Sequence, residues 1–336
     1  MSGPIHVLLT VDVESRRDGC PRRDVWGELD DTSEPHGIGR MMDILDRHGV
    51  QGTFFVDVFA AARHGDEAIA AICREILRRK HDLQLHTHPK VAFGIENLQD
   101  ADLATQVKIL KQGADSVQQW TGASVVAHRS GNYMASVQTF EACSQAGIPL
   151  EFSYNAAWQL SQAAQAGITR NAPFAHNGVL CVPVSCHVEV ALGRWTRMRF
   201  LDIESSSVAE IRKVVSDLRD HGVPTAVIMM HSFSFCRDGR VNTRSEEVLE
   251  TLLRYFTADS EVRLVCAKQL CDIWRAHPDA VAGPDYVPTT GYWMTYCRAW
   301  QRRREGWRNL AVALAPLAVL TLVAGMAITL GILAGW

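Results

Sequence analysis

Short apolar runs alternate with amphipathic stretches over about the first 275 residues. The run at 5–11 (IHVLLTV) reads as a strand. Residues 37–48 set Ile38, Met41, Met42 and Leu45 at helical spacing and stop at Gly49. GTFFV at 52–56 reads as a second strand. Residues 66–80 place Ile69, Ile72, Cys73, Ile76 and Leu77 on one helix face. The alternation continues with strands at 83–85, 125–127, 148–152, 180–184, 225–230 and 262–266. Helices are expected at 101–121, 137–145, 208–221, 245–256 and 268–274.

Strand-then-helix repetition calls for a mostly parallel sheet covered by helices. Seven or eight strands in a domain spanning 1–275 suit a closed or nearly closed β/α barrel, with an open doubly wound sheet as the alternative. No GxGxxG follows the first strand, which argues against a dinucleotide fold. Residues 276–297 begin with a proline-containing, aperiodic stretch and read as a linker.

The ending differs from the rest. Residues 310–336 carry no charged side chain and are long enough, as a helix, to cross a hydrocarbon core of roughly 30 Å. Trp307 and Trp336 flank this stretch, and Arg298, Arg302, Arg303, Arg304 and Arg308 precede it. The expectation is a basic juxtamembrane segment at 298–309 and a single-pass transmembrane helix at 310–336. The start of the chain lacks the basic-then-apolar pattern of a signal peptide. The arginine cluster then predicts a cytoplasmic catalytic domain on a C-terminal membrane anchor.

Composition narrows the function classes. Apolar residues make up 47% and charged residues 21%, so a packed core forms and wholesale disorder is excluded. Thirty-four basic against 37 acidic residues exclude a broadly basic nucleic-acid binder. The nine cysteines are odd in number and form no CxxC pair, which fits free thiols in a reducing compartment.

Chemistry gathers at the downstream ends of the expected strands, which in a β/α barrel face one mouth. Asp12 and Glu14 follow the first strand. His86 and His88 follow the third, His128, Arg129 and Asn132 the next, and His231 and Ser232 the strand at 225–230. Residues two apart on an extended segment share a face. Asp12 and Glu14 can therefore divide labour, one binding a metal and the other accepting a proton, or can be a solvated strand end. His86 and His88 can be a hydrogen-bonded pair, or with one carboxylate an open catalytic metal site. Arg129 can hold a carboxylate through its planar fork.

Five segments in order resemble the polysaccharide deacetylases with a NodB-type domain, carbohydrate esterase family 4: TVDVE, GTFFV, HDLQLHTHP, AHRSGNY and MMHSFSF. The resemblance covers about residues 5–274. It implies a distorted or partly open (β/α) barrel and a metal-dependent hydrolase that removes an acetyl group from an amino-sugar glycan or glycan precursor. It implies Asp12 as general base, Glu14, His86 and His88 as ligands of one divalent ion, with zinc expected, Arg129 as the group orienting the base, and His231 as the acid. The family's second metal histidine would fall at Lys90, and His88 is the substitute, giving HxH in place of HxxxH. Tyr133, and Ser153, Tyr154 and Asn155 of EFSYN, match substrate-wall positions. The expected partner is a glycan or lipid-linked saccharide, with no nucleic acid. Hydrolysis of another C–N bond, of cyclic imide or ureide type, and a membrane-tethered inactive binding or assembly protein are the alternatives.

Overall fold

The computed structural model describes residues 3–302 apart from 17, 31, 193, 194 and 238. The central strands are β1 (Ile5–Val13), β2 (Thr53–Asp57), β3 (Asp82–Thr87), β4 (Ala127–Ser130), β5 (Leu150–Glu151), β6 (Phe174–His176) and β7 (Val179–Cys181). β8 (Cys186–Leu192) and β9 (Trp195–Phe200) form a separate pair. β10 (Thr225–His231) returns to the main sheet, β11 (Cys236–Arg237) and β12 (Arg240–Val241) make a small ladder, and β13 (Val262–Leu264) pairs with the start of β1. The main order is β10–β1–β2–β3–β4–β5–β7–β6, parallel except for the antiparallel pair of β6 with β7.

The architecture is a mixed α/β half-barrel. Period-2 alternation sorts each strand's residues between two cores. From β1, Val7, Leu9, Val11 and Val13 pack under the helices with Phe54, Val56, Leu83 and Leu85. Leu8 packs in the interior with Phe55, Ala127, Leu150 and Val227. Because both faces are covered, β1 reads in sequence as a mostly apolar run, broken by His6 and Thr10 before Asp12. Helix Ala267–Ala276 closes the interior's base with Ala267, Leu270 and Cys271. Its start is pinned by the Ala267 N–H to Thr53 Oγ1 (2.8 Å) and the Lys268 N–H to Asp82 Oδ2 (3.1 Å).

Among the described residues no strand closes the gap beyond β10. Irregular chain fills it instead: the Leu201 N–H donates to the Ser185 carbonyl (2.8 Å), Met229 N–H to Leu201 (3.0 Å) and Ile203 N–H to Met229 (3.2 Å). This segment matters below, because it continues into Glu204.

The chain divides into two compact units, 1–187 with 198–288, and 188–197 with 289–336. Within the second, helix Gly291–Gln301 begins inside the stretch expected as a linker. The membrane expectation is corrected: no helix of the described residues is long and apolar enough to cross a membrane. The single-pass anchor, the membrane localisation and the cytoplasmic placement derived from it fall together. Residues 310–336, on which the span was placed, lie outside the described residues. Arg298, read as the first residue of a lipid-facing basic cluster, is 6% exposed and ion-paired with the fully buried Glu189. Its charge is neutralised inside the protein rather than presented to head groups.

Candidate active site

Strand register brings the chemistry to one rim. Asp12 on β1 stands opposite His231 on β10, Asp57 on β2 opposite His86 on β3, and His86 opposite Arg129 on β4. Glu14 and His88 extend β1 and β3 just past the sheet. Ser232 fixes Glu14 by donating to its carbonyl (2.9 Å) and accepting its N–H (3.4 Å).

Glu14, His86 and His88 place one ligand atom each within 4.8 Å of one another, an arrangement that can hold a metal ion. The Glu14 Oε2 lies 3.1 Å from His86 Nε2 and 2.5 Å from His88 Nε2. The His86 Nδ1 is 2.9 Å from the Arg129 carbonyl, which only accepts, so Nδ1 carries a proton and Nε2 is the atom a metal would take, in place of the proton it shares with Glu14. Two imidazole nitrogens and one carboxylate oxygen are a donor set suited to a zinc-like ion with a position left open. Burial would raise the Glu14 carboxyl, but the hydrogen bonds from His86 and His88 outweigh it and hold it well below its ordinary range. Burial likewise lowers His88, and Glu14 reverses this, pushing it up to about 9.

His88 is seated by two groups the sequence reading did not single out. Asp57 Oδ1 accepts the His88 N–H and the Phe59 N–H, each at 3.2 Å. Gly131 lies against the His88 ring: a Cβ there would stand 2.3 Å from Cε1 and 2.4 Å from Nδ1. The turn that follows carries Asn132 (φ 57°) and Tyr133 (φ 56°) in the left-handed region. Such residues typically cost about 1–3 kcal/mol each and persist where surrounding structure holds them.

Arg129 crosses the interior beneath this rim. It has no exposed surface, its guanidinium is 4.5 Å from the Phe55 centroid, and Nη1 donates to Asp12 Oδ1 at 2.7 Å. Nη2 donates to Thr10 Oγ1 (3.0 Å) and Nε to the Phe152 carbonyl (3.3 Å). Each guanidinium nitrogen therefore has a partner, and Asp12 is held through Oδ1.

His231 is held from the other side. Its Nδ1 is 2.7 Å from Glu204 Oε1, and the same oxygen accepts from Ser234 Oγ at 2.6 Å. This leaves Nε2 facing the site, 3.9 Å from Glu14 Oε1. Burial lowers the imidazole, and the hydrogen bond and charge of Glu204 overcome it, raising the group to about 9.

The remaining sequence candidates are placed differently. His128 is buried on the helix side, bonded to Thr87 Oγ1 at 3.0 Å, because it precedes Arg129 on the same strand and so points the opposite way. Tyr133 is buried against Phe200, and its hydroxyl has no hydrogen-bond partner among the described residues. Ser153, Tyr154 and Asn155 are fully buried. Ser153 Oγ donates to Glu151 and accepts the Ser130 N–H (2.7 Å), Tyr154 donates to the Ile168 carbonyl, and Asn155 Oδ1 accepts the Ala157 N–H (3.0 Å). The structure does not bring these three to the rim cavity, which Glu14, Asp57, His88, Asn132 and Phe233 help to line. Asp57 carried the same signal as the other candidates, a polar residue ending an apolar strand. Glu204 carried none, since it comes from irregular chain.

Solved structures share this architecture. An assigned polysaccharide deacetylase of Mycobacterium smegmatis matches with a TM-score of 0.57 at 20% identity, over 85% of this chain and 94% of that one. An assigned polysaccharide deacetylase of Pseudomonas aeruginosa PAO1 matches at 0.51 and 12% identity, over 82% and 93%. The Puue allantoinase matches at 0.52 and 12% identity, over 82% and 92%. The fold is that of the NodB-type polysaccharide deacetylases. No protein-family model and no curated protein matches the chain.

Proposed function

We propose that this chain is a metal-dependent hydrolase that removes an acetyl group from an amino sugar in a glycan or glycan precursor. The observation that carries the reading is the convergence of three units on one rim: the Glu14–His86–His88 cluster, the Asp12–Arg129 pair and the His231–Glu204 pair. A divalent ion held by Glu14, His86 and His88 would polarise the acyl carbonyl and bring water's pKa toward neutrality. Asp12, anchored through Oδ1, keeps its other oxygen to accept a proton from the attacking water. His231 as imidazolium donates from Nε2 to the departing amine, while Glu204 holds Nδ1 and the charge. Acetate and a free amino sugar leave.

The test is acetate release from an N-acetylglucosamine oligosaccharide by the zinc-loaded chain, before and after chelation. Activity lost on chelation and regained with zinc supports the reading. Metal binding without acetate release would overturn it, and turnover of a cyclic ureide instead would move the chain to the other C–N hydrolase class.

Two further outcomes follow from the geometry. Gly131→Ala should weaken zinc binding by about 10- to 100-fold, the usual penalty for disturbing a ligand's support, read by chelator competition. Unchanged affinity would mean that the His88 ring is not where a ligand must be. Glu204→Gln should move the alkaline limb of the kcat profile to lower pH. His231 donates only when protonated, so activity falls as pH rises through its pKa, about 9 with Glu204 beside it. Removing that negative charge returns the imidazole toward 6.5. A limb that stays in place would take the acid role from His231.

A further inference from the structure

We propose that the cavity beside the Glu14–His88 edge is a subsite for an anionic substituent of the sugar, a carboxylate or a phosphate. The proposal rests on the deacetylase reading and names the substrate class within it. The cavity measures about 450 Å³, within the range of small-ligand sites, and adjoins the proposed reacting centre through Glu14, Asp57 and His88.

Its lining carries both signs of charge, the acidic groups including Glu14 and Asp57. Glu14 belongs to the metal cluster, and Asp57 Oδ1 is already taken by the backbone N–H groups of His88 and Phe59. The same wall carries the basic side chains Arg16, Arg63, His64 and Lys90, and its remaining carboxylate, Glu96, is ion-paired to Lys90 at 2.5 Å. Once Glu14 is neutralised by a bound dication, the lining has an excess of positive charge. Apolar surface comes from Phe59, Val91 and Phe233.

Arg16 is the organised member of this wall. Its guanidinium lies 4.4 Å from the Phe233 ring centroid, and Nη2 donates to the Cys236 carbonyl at 2.9 Å. Nη1 stands 3.8 Å from the buried Asp24, whose Oδ2 also accepts the Arg16 N–H at 3.1 Å. Phe233 in turn stacks on His231, with centroids 4.7 Å apart and planes 10° from parallel. The side chain is held at three points yet remains 43% exposed, and it stands one ring away from His231. A guanidinium fixed in this way can meet a planar carboxylate or phosphate with little further loss of freedom.

The experiment compares kcat/KM of the zinc-loaded full chain on three matched sugars: neutral N-acetylglucosamine, its 1-phosphate, and a lactyl ether of it bearing a carboxylate. At least one anionic sugar should be favoured by about 10-fold or more, as expected for a charge-assisted contact. The preference should appear mainly in KM, shrink with added salt and fall toward unity in Arg16→Gln and in Arg16→Gln/Arg63→Gln. The two anionic arms tell phosphate from carboxylate. Equal kcat/KM for neutral and anionic sugars, or a preference that survives the double substitution, would overturn the subsite. Should no sugar release acetate, the deacetylase reading fails instead. Equilibrium binding of the sugar phosphate and the neutral sugar, to wild type and Arg16→Gln, then decides the subsite on its own.

Discussion

Replacing both His86 and His88 by alanine should take bound zinc from one ion per chain to none and reduce acetate release to background. Both imidazoles point Nε2 at the same Glu14 oxygen, so the pair supplies two of the cluster's three ligand atoms. A single remaining carboxylate does not hold a zinc ion at micromolar levels against water, because the site's selectivity lies in its nitrogen donors. His86 is 1% exposed, and the double change leaves Glu14 without its imidazole partners, so burial pushes its carboxyl up toward the neutral form, while β3 stays held by ladders on both sides. The measurements are metal content of the purified chain and turnover after zinc addition. Full metal content in the double variant would place the ligands elsewhere.

Asp12→Asn should leave zinc bound and lower kcat by about 10²- to 10⁴-fold, the span associated with losing a general base. Asparagine can still present an oxygen to Arg129 Nη1, so the geometry of the interior survives while the capacity to take a proton does not. Metal analysis beside kinetics makes the outcome decisive. If Asp12→Asn loses the ion while Glu14→Gln keeps it, the two carboxylates have exchanged roles. Turnover close to wild type would remove Asp12 from the chemistry.

The parts of this site that could be read from sequence share a physical origin. Buried parallel strands are rich in apolar residues, so polar residues at their downstream ends stand out, and Asp12, Glu14, His86, His88, Arg129 and His231 all lie at or just past such ends. The reading went astray where that signal is silent. β4 runs to Ser130 rather than ending at Ala127, so His128 and Arg129 are strand residues on opposite faces, and only Arg129 reaches the interior. Glu204 approaches from aperiodic chain whose path is set by single hydrogen bonds to β10. The seat of His88 depends on a missing side chain at Gly131, which has no pattern along the chain. At the other end, apolar composition and arginine count suggested a bilayer, whereas Arg298 answers a buried glutamate.

Arg129 is wholly buried, and the carboxylate at its guanidinium is Asp12. Stranding one member of such a pair typically costs about 3–5 kcal/mol, a large share of a domain's stability. Selection for a folded chain and selection for a working base therefore act on the same codon. In a saturation scan scored by growth, charge-removing changes at Asp12 should register as reduced abundance as well as reduced turnover, and protein level must be measured beside activity to separate them. Over longer descent, lineages released from catalysis should not retain Arg129 after losing Asp12. The two positions are expected to covary, passing together to an uncharged pair, so an intact Arg129 in a distant relative would itself signal that its partner carboxylate is still in use.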